Sequence, residues 1–183
     1  MIDSKNRTRF EAIVLPHLNS AFNLACWLTR SPQDAEDVVQ EACLRAFKFF
    51  DSFHGEDART WLLTIVRNTF YTWCQDNRGQ KQNTVFDEAL HSFETIDAAS
   101  GMPHADNNPE ILLLRKDNRR QLQQALESLP LEFREVLVMR ELEALSYKQI
   151  AGIAGIPIGT VMSRLGRGRK LLAKLLAPAQ QEQ

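Results

Sequence analysis

The residues from Leu145 to Leu165, LSYKQIAGIAGIPIGTVMSRL, constrain the fold of this chain more than any others. Ser146 is suited to cap a helix start, and Ile150, Ala151, Ile153 and Ala154 recur at the spacing of one buried helical face. Gly155 supplies the positive φ that a tight turn between helices needs. Pro157 fits the start of a second helix, where its missing N–H costs nothing. Small Ala151 lets the two helices approach, and Val161 and Leu165 seat the second on the first. The outer face of the second helix carries Thr160, Ser163, Arg164, Arg167 and Lys170. Short hydroxyls and long cations at this spacing suit a helix laid in the major groove, which makes DNA the expected partner. The alternative is a plain helical hairpin with a solvated basic face. Turn chemistry, a small contact residue and a basic face coincide here, and together they favour DNA.

The formal net charge of −1 conceals an asymmetry that supports a modular plan. Residues 1–85 carry ten acids and ten Lys or Arg, residues 86–110 carry six acids and no base, and residues 111–183 carry twelve bases against seven acids. A neutral domain, an acidic connector and a basic DNA-reading end are the expected divisions.

Helical periodicity runs through the chain and no period-2 strand stands out, so the expected fold is all-α. Two small helical domains are joined by a flexible acidic linker. The N-terminal domain divides into helical segments near Phe10–Thr29, Pro32–Phe50 and Asp57–Asp76. Ser31-Pro32-Gln33-Asp34 reads as a helix start, with an N-cap, a proline at the first position and an acid in the first turn. Asn77-Arg78-Gly79-Gln80 closes the third segment. The stretch to Pro109 loses apolar periodicity and gathers Ser, Asp, Asn, Gly and Pro. A second helical unit starts near Glu110, is interrupted at Leu129-Pro130-Leu131, and leads through Glu132–Leu142 into the helix-turn-helix.

No segment reaches the ~18 consecutive apolar residues of a membrane span, and the N-terminus lacks a signal pattern, so a cytoplasmic chain without membrane insertion is expected. Cys26, Cys43 and Cys74 are scattered through apolar helical patterns and read as free thiols. His54-Gly55-Glu56-Asp57 is polar, but a loop before an acidic helix start explains it, so no metal site is expected. No phosphate-cradling glycine loop and no nucleophile–base pair is present. The chain therefore reads as a non-enzyme without a cofactor.

Two helical faces carry more than their cores need. Along Pro32–Phe50, at about 100° per residue, Ala35, Val38, Val39, Ala42, Ala46, Phe49 and Phe50 form one apolar stripe. Opposite lie Asp34, Asp37, Glu41, Arg45 and Lys48, with Leu44 among the charges. A solvated face accounts for the charges, whereas an apolar residue ringed by charge suits a protein contact. In the third segment Ala58, Trp61, Leu62, Ile65, Val66, Thr69 and Trp73 form the inward stripe, while Leu63, Arg67, Phe70 and Tyr71 fall elsewhere. Aromatics beside a cation can stack on unpaired bases, or bury against another helix; spacing alone leaves both open.

In this order the pieces resemble the extracytoplasmic-function group of bacterial sigma factors, the exchangeable promoter-recognition subunits of RNA polymerase. The resemblance rests on Asp34-Ala35-Glu36-Asp37-Val38-Val39-Gln40-Glu41-Ala42-Cys43-Leu44-Arg45-Ala46-Phe47, on Trp61-Leu62-Leu63-Thr64-Ile65-Val66-Arg67-Asn68, and on Leu129-Pro130 through Arg169. It implies domains at 1–85 and 111–183 around a linker at 86–110. It also implies that Asp37, Gln40, Glu41 and Leu44 bind core RNA polymerase. His54, Arg67, Asn68, Phe70 and Tyr71 would then engage and open the −10 element. Thr160, Ser163, Arg164, Arg167 and Lys170 would read the −35 element. The linker acids Asp87, Glu88, Glu94, Asp97, Asp106 and Glu110 would thread toward the polymerase channels. An anti-sigma protein is a further partner that the family admits.

The chain departs from the pattern in three places. The segment after Asn68 holds one base where the family commonly has an arginine cluster, which weakens the expected duplex contacts upstream of the −10 element. Met162 stands where Lys or Arg is frequent. Gly166 and Gly168, each costing roughly 1 kcal/mol relative to Ala in a helix interior, replace larger residues. The poor basic cluster after Asn68 leaves open a sigma-like decoy for an anti-sigma protein, and from another class the alternative is a conventional helix-turn-helix regulator that uses its N-terminal half to sense a ligand or dimerise.

Overall fold

The computed structural model describes residues 4–80 and 109–177. Every regular element among them is helical. The expected linker acids from Asp87 to Asp106 lie outside the described residues, and Glu110 falls in the helix that starts at Pro109.

The N-terminal domain comprises α1 (Ser4–Val14), α2 (Leu18–Thr29), α3 (Pro32–Lys48) and α4 (Ala58–Gln80). The continuous segment expected over Phe10–Thr29 is instead broken by a 3₁₀ turn at Leu15–His17. Pro16 is the reason: it lacks an N–H and its ring clashes with the preceding turn. Helix α2 ends where Arg30 turns left-handed at φ 59°, its N–H donating to the Cys26 carbonyl at 2.8 Å. The start of α3 is built as the sequence indicates, with the Ser31 hydroxyl accepting from the Asp34 N–H at 3.3 Å and Pro32 in the first turn. At its other end Phe49 departs from the expected apolar stripe. The helix stops at Lys48, so the 100° advance no longer applies, and the exposed Phe49 ring lies beneath the Lys48 ammonium.

Helices α2, α3 and α4 pack together around Ala21, Leu24, Ala25, Val38, Ala42, Leu62 and Val66. An aromatic cluster closes one end: Phe10 meets Phe47 edge-on at 5.0 Å, and Phe53 lies 4.8 Å from Trp61. This cluster buries Phe53 and leaves its neighbour His54 exposed.

The C-terminal domain comprises α5 (Pro109–Ser128), α6 (Leu131–Leu137), a π-helical turn (Val138–Leu142), α7 (Tyr147–Ala154) and α8 (Ile158–Leu176). The buried Arg134 guanidinium ties the α5–α6 corner, donating to the carbonyls of Glu127 at 2.9 Å and Leu129 at 3.1 Å. Helix α7 opens on a full capping box. The Ser146 hydroxyl accepts from Gln149 N–H at 3.1 Å, and the Ser146 N–H donates to Gln149 Oε1 at 2.9 Å. Gly155 ends it in the left-handed region at φ 65°. Pro157 stands one place earlier than the first helical turn, as the N-cap of α8, because Ile158 is the first helical residue.

The two domains pack directly on one another, α2 against α6 and α4 against α7. This explains a second departure from the sequence reading. Leu63 and Phe70, placed off the inward stripe, are both buried. Helix α4 has α2 and α3 on one side and α7 on another, so more than one stripe is covered. Trp61 and Trp73, expected to point inward, are only half-buried.

Candidate nucleic-acid and polymerase interface

The recognition unit begins with the box and the turn. Together they fix the direction in which α8 leaves α7, and Val161 and Leu165 are buried between the two. The residues one step around the wheel face out: Ser163, Arg167 and Lys170 are exposed, and Thr160 and Arg164 are half-buried. Ser163 donates its hydroxyl back to the Thr160 carbonyl at 3.0 Å, as hydroxyls often do in helices. Met162 lies on the same exposed side. Gly168 faces the opposite way. A Cβ there would meet Leu137 Cδ1 at 3.0 Å and Phe133 Cβ at 3.3 Å, so this glycine lets α8 approach α6. Nothing lies within 4 Å of a Cβ placed on Gly166.

The outer face of α3 is the second surface. Leu44 is 67 % exposed. Asp37, Gln40 and Glu41 are also exposed, and Glu41 is paired with Arg45 at 2.8 Å. Buried Ala35, Val38, Ala42 and Ala46 hold the opposite side on the core, which leaves Leu44 no route inward. Between α3 and α4 runs a shallow groove lined by Asp37, Glu41, Thr69, Trp73 and Asp76 among others. The buried Thr69 hydroxyl has no hydrogen-bond partner within the protein.

The third surface is α4 with the loop before it. Asp57 caps α4, accepting from the Thr60 N–H at 2.9 Å, and accepts from Gln149 of α7 at 2.8 Å. Burial works to raise the Asp57 carboxyl, and the hydrogen bonds from Thr60 and Gln149, with the Arg59 charge, together outweigh it and lower the carboxyl from its ordinary value. His54 is exposed, with Nδ1 2.9 Å from the Ser52 carbonyl, and Asn68 is exposed. Phe70 is only 3 % exposed, its ring 5.3 Å from Tyr71 and 6.3 Å from Trp73.

Arg67, Tyr71 and Arg164 converge on one carboxylate that sequence reasoning overlooked. Glu135 of α6 is 1 % exposed and takes both Nε and Nη2 of Arg67, at 2.8 and 3.1 Å. It also accepts from the Tyr71 hydroxyl at 3.2 Å and lies 3.6 Å from Arg164. The Arg67 guanidinium sits 4.4 Å over the Tyr71 ring. Burial, and then the Glu135 charge, push the Tyr71 hydroxyl up to about 12. A glutamate in a solvent-patterned helix carries no sequence sign of this role, since its partners Arg67 and Tyr71 lie more than sixty residues away in the other domain.

Comparison with known proteins gives these surfaces a family. The Sigma-70 region 2 family model matches residues 13–80, and the Sigma-70, region 4 model matches residues 119–172. The ECF RNA polymerase sigma-E factor of Escherichia coli K12 is 38 % identical over 148 residues, spanning 79 % of this chain and 75 % of that protein. The RNA polymerase sigma-H factor of Pseudomonas aeruginosa is 30 % identical over 185 residues, spanning 97 % and 91 %. A solved sigma factor RpoE from Bartonella quintana, in complex with the anti-sigma factor NepR, superimposes with a TM-score of 0.73 at 28 % identity, covering 92 % of this chain and 96 % of that one. The chain belongs to the extracytoplasmic-function group of RNA polymerase sigma factors.

Proposed function

We propose that this sigma factor binds core RNA polymerase through Asp37, Gln40, Glu41 and Leu44 on α3 and reads promoters at two separate places. The −35 element is met by Thr160, Ser163, Arg164, Arg167 and Lys170 on α8. The −10 element is engaged and opened by His54, Arg67, Asn68 and Tyr71, with Phe70 supporting Tyr71 from the core. The observation that carries this reading is the capped α7, left-handed Gly155 and α8 whose outer face presents Ser163, Arg167 and Lys170. The exposed Leu44 among acids supports the polymerase face, since an apolar residue in a charged ring suits a protein contact better than solvent.

The functional division is a neutral domain over 1–85, an acidic connector over 86–110 and the DNA-reading domain over 111–183. The chain carries out no chemistry of its own and works in the cytoplasm; no helix among the described residues is long and apolar enough to cross a membrane. The Bartonella structure holds a sigma factor with its anti-sigma protein, and an anti-sigma partner is the natural regulator here as well. Run-off transcription with core polymerase on a promoter library tests the whole reading. Discrete transcripts that depend on the added chain are expected; their absence from every template would refute it.

A further inference from the structure

The outer face of α8 is basic along one side and apolar along another. Ser163, Arg167 and Lys170 are exposed on it, and so are two large apolar residues, Met162 at 56 % and Ile158 at 46 %. Residues three and four apart are neighbours on a helix surface, so Met162 is flanked by Ile158, Gly159, Leu165 and Gly166. Leu165 is buried, and neither glycine carries a side chain. No charged residue therefore adjoins Met162 along the helix, although Arg167 and Lys170 follow further on.

Folding does not account for this patch. Val161 and Leu165 already seat α8 on the core. A Cβ added at Gly159 or at Gly166 would meet nothing within 4 Å, so no neighbouring element needs either position to be bare. Gly168 is the contrast, since a Cβ there would meet Leu137 Cδ1 at 3.0 Å. A glycine inside a helix lowers stability, and no internal contact of Gly166 offsets that. What a bare backbone does serve is close approach to an external partner.

DNA presents one apolar group on its base edges. In the major groove guanine, adenine and cytosine offer hydrogen-bond donors and acceptors, whereas thymine adds a C5 methyl. A methionine cannot donate to guanine O6 or N7 as an arginine does, but its flexible, polarisable thioether can cover a methyl. The position suits base reading as well. In a helix-turn-helix the N-terminal residues of the second helix contact base edges, and Ile158 and Met162 lie in the first two turns of α8. Cations further along supply the sequence-independent contacts to phosphate that set the helix in place.

We propose that Met162, extended by Ile158, is a specificity-determining residue that selects a thymine methyl in the −35 element, with Gly159 and Gly166 letting the α8 backbone close on the base edges. The proposal rests on the reading of α8 as the −35 helix and adds to it a base that the cations do not choose.

The test uses the holoenzyme formed from core polymerase and the full chain. Run-off transcription on a library randomised over the −35 element selects the preferred sites. Each thymine of the best site is then replaced by deoxyuridine, which removes the methyl alone. At one thymine the replacement is expected to weaken holoenzyme binding about 4-fold, the worth of one buried methyl group. Met162→Ala should bind the thymine and deoxyuridine sites equally. Gly166→Ala should weaken binding whichever base is present, while circular dichroism shows its helices intact. Equal binding of thymine and deoxyuridine sites by the wild type overturns the proposal, as does a discrimination that persists undiminished in Met162→Ala. Unchanged binding by Gly166→Ala overturns the close approach of the backbone. Transcription that ignores the −35 sequence overturns the −35 reading of α8, and the proposal with it. A clear −35 preference without the deoxyuridine effect overturns the thymine contact alone.

Discussion

Gly166 and Gly168 show how much a single position depends on its surroundings. Both stand in the interior of α8, where glycine costs roughly 1 kcal/mol relative to alanine, and the sequence treats them alike. The structure separates them. Gly166 faces open space, so Gly166→Ala should stabilise the chain by about 0.5–1 kcal/mol. Gly168 lies against Leu137 and Phe133, so Gly168→Ala trades a similar gain for overpacking that typically costs about 1–3 kcal/mol. The net expectation is a loss of about 1 kcal/mol. Urea unfolding of both variants checks the pair, and equal stabilisation would show that α8 does not approach α6 as described. Arg167 is exposed on the outer side of α8. If it meets a phosphate, Arg167→Ala should weaken binding uniformly across sequences and reduce the salt slope by about 1. A loss confined to one base position would make it a base reader instead.

The helix-turn-helix was the most legible element, because each of its parts has local chemistry. Ser146 and Gln149 form the box, Gly155 takes the positive φ, and Val161 and Leu165 are buried. Ser146→Ala should accordingly cost ~1 kcal/mol, read as a lower urea midpoint, with DNA affinity lost to the same degree through the fraying of α7. A stability change below the error of the measurement would mean that packing, not the cap, holds that helix start. Elements were misread where a neighbour or a chain break intervened. Pro16 splits the first segment, and its effect is local enough to be seen in the sequence. Phe49 leaves the stripe because α3 has already ended, and helix ends are poorly marked by periodicity. Leu63 and Phe70 are buried because α4 is covered on more than one side, which a single helical wheel does not anticipate. For the −10 surface, Tyr71→Ala should slow promoter opening, measured by permanganate reactivity of −10 thymines, since stacking is worth roughly 1–3 kcal/mol per base. Phe70→Ala should instead lower stability. Unchanged opening in both Tyr71→Ala and His54→Ala would move the melting site elsewhere.

At the scale of the whole molecule, composition and order indicate a neutral N-terminal unit and a basic C-terminal one, and the two family models match residues 13–80 and 119–172. What composition could not indicate is the seam. Glu135 and Glu143 look like solvent residues in sequence, yet both are buried and each pairs with an arginine of the other domain. Contacts between domains depend on shape and on pairs distant in the chain, such as Arg67 with Glu135 and Arg59 with Glu143. Local pattern carries no record of such pairs. The exposed Leu44 lies away from that seam, on the outer face of α3, and is where the molecule is expected to meet its polymerase. The most direct measurement is run-off transcription from one selected promoter with core polymerase, comparing the wild type with Leu44→Asp. The account predicts a defined transcript with the wild type and none with Leu44→Asp, whose helicity and promoter-fork affinity without polymerase remain unchanged. Equal transcription by the two proteins would contradict it.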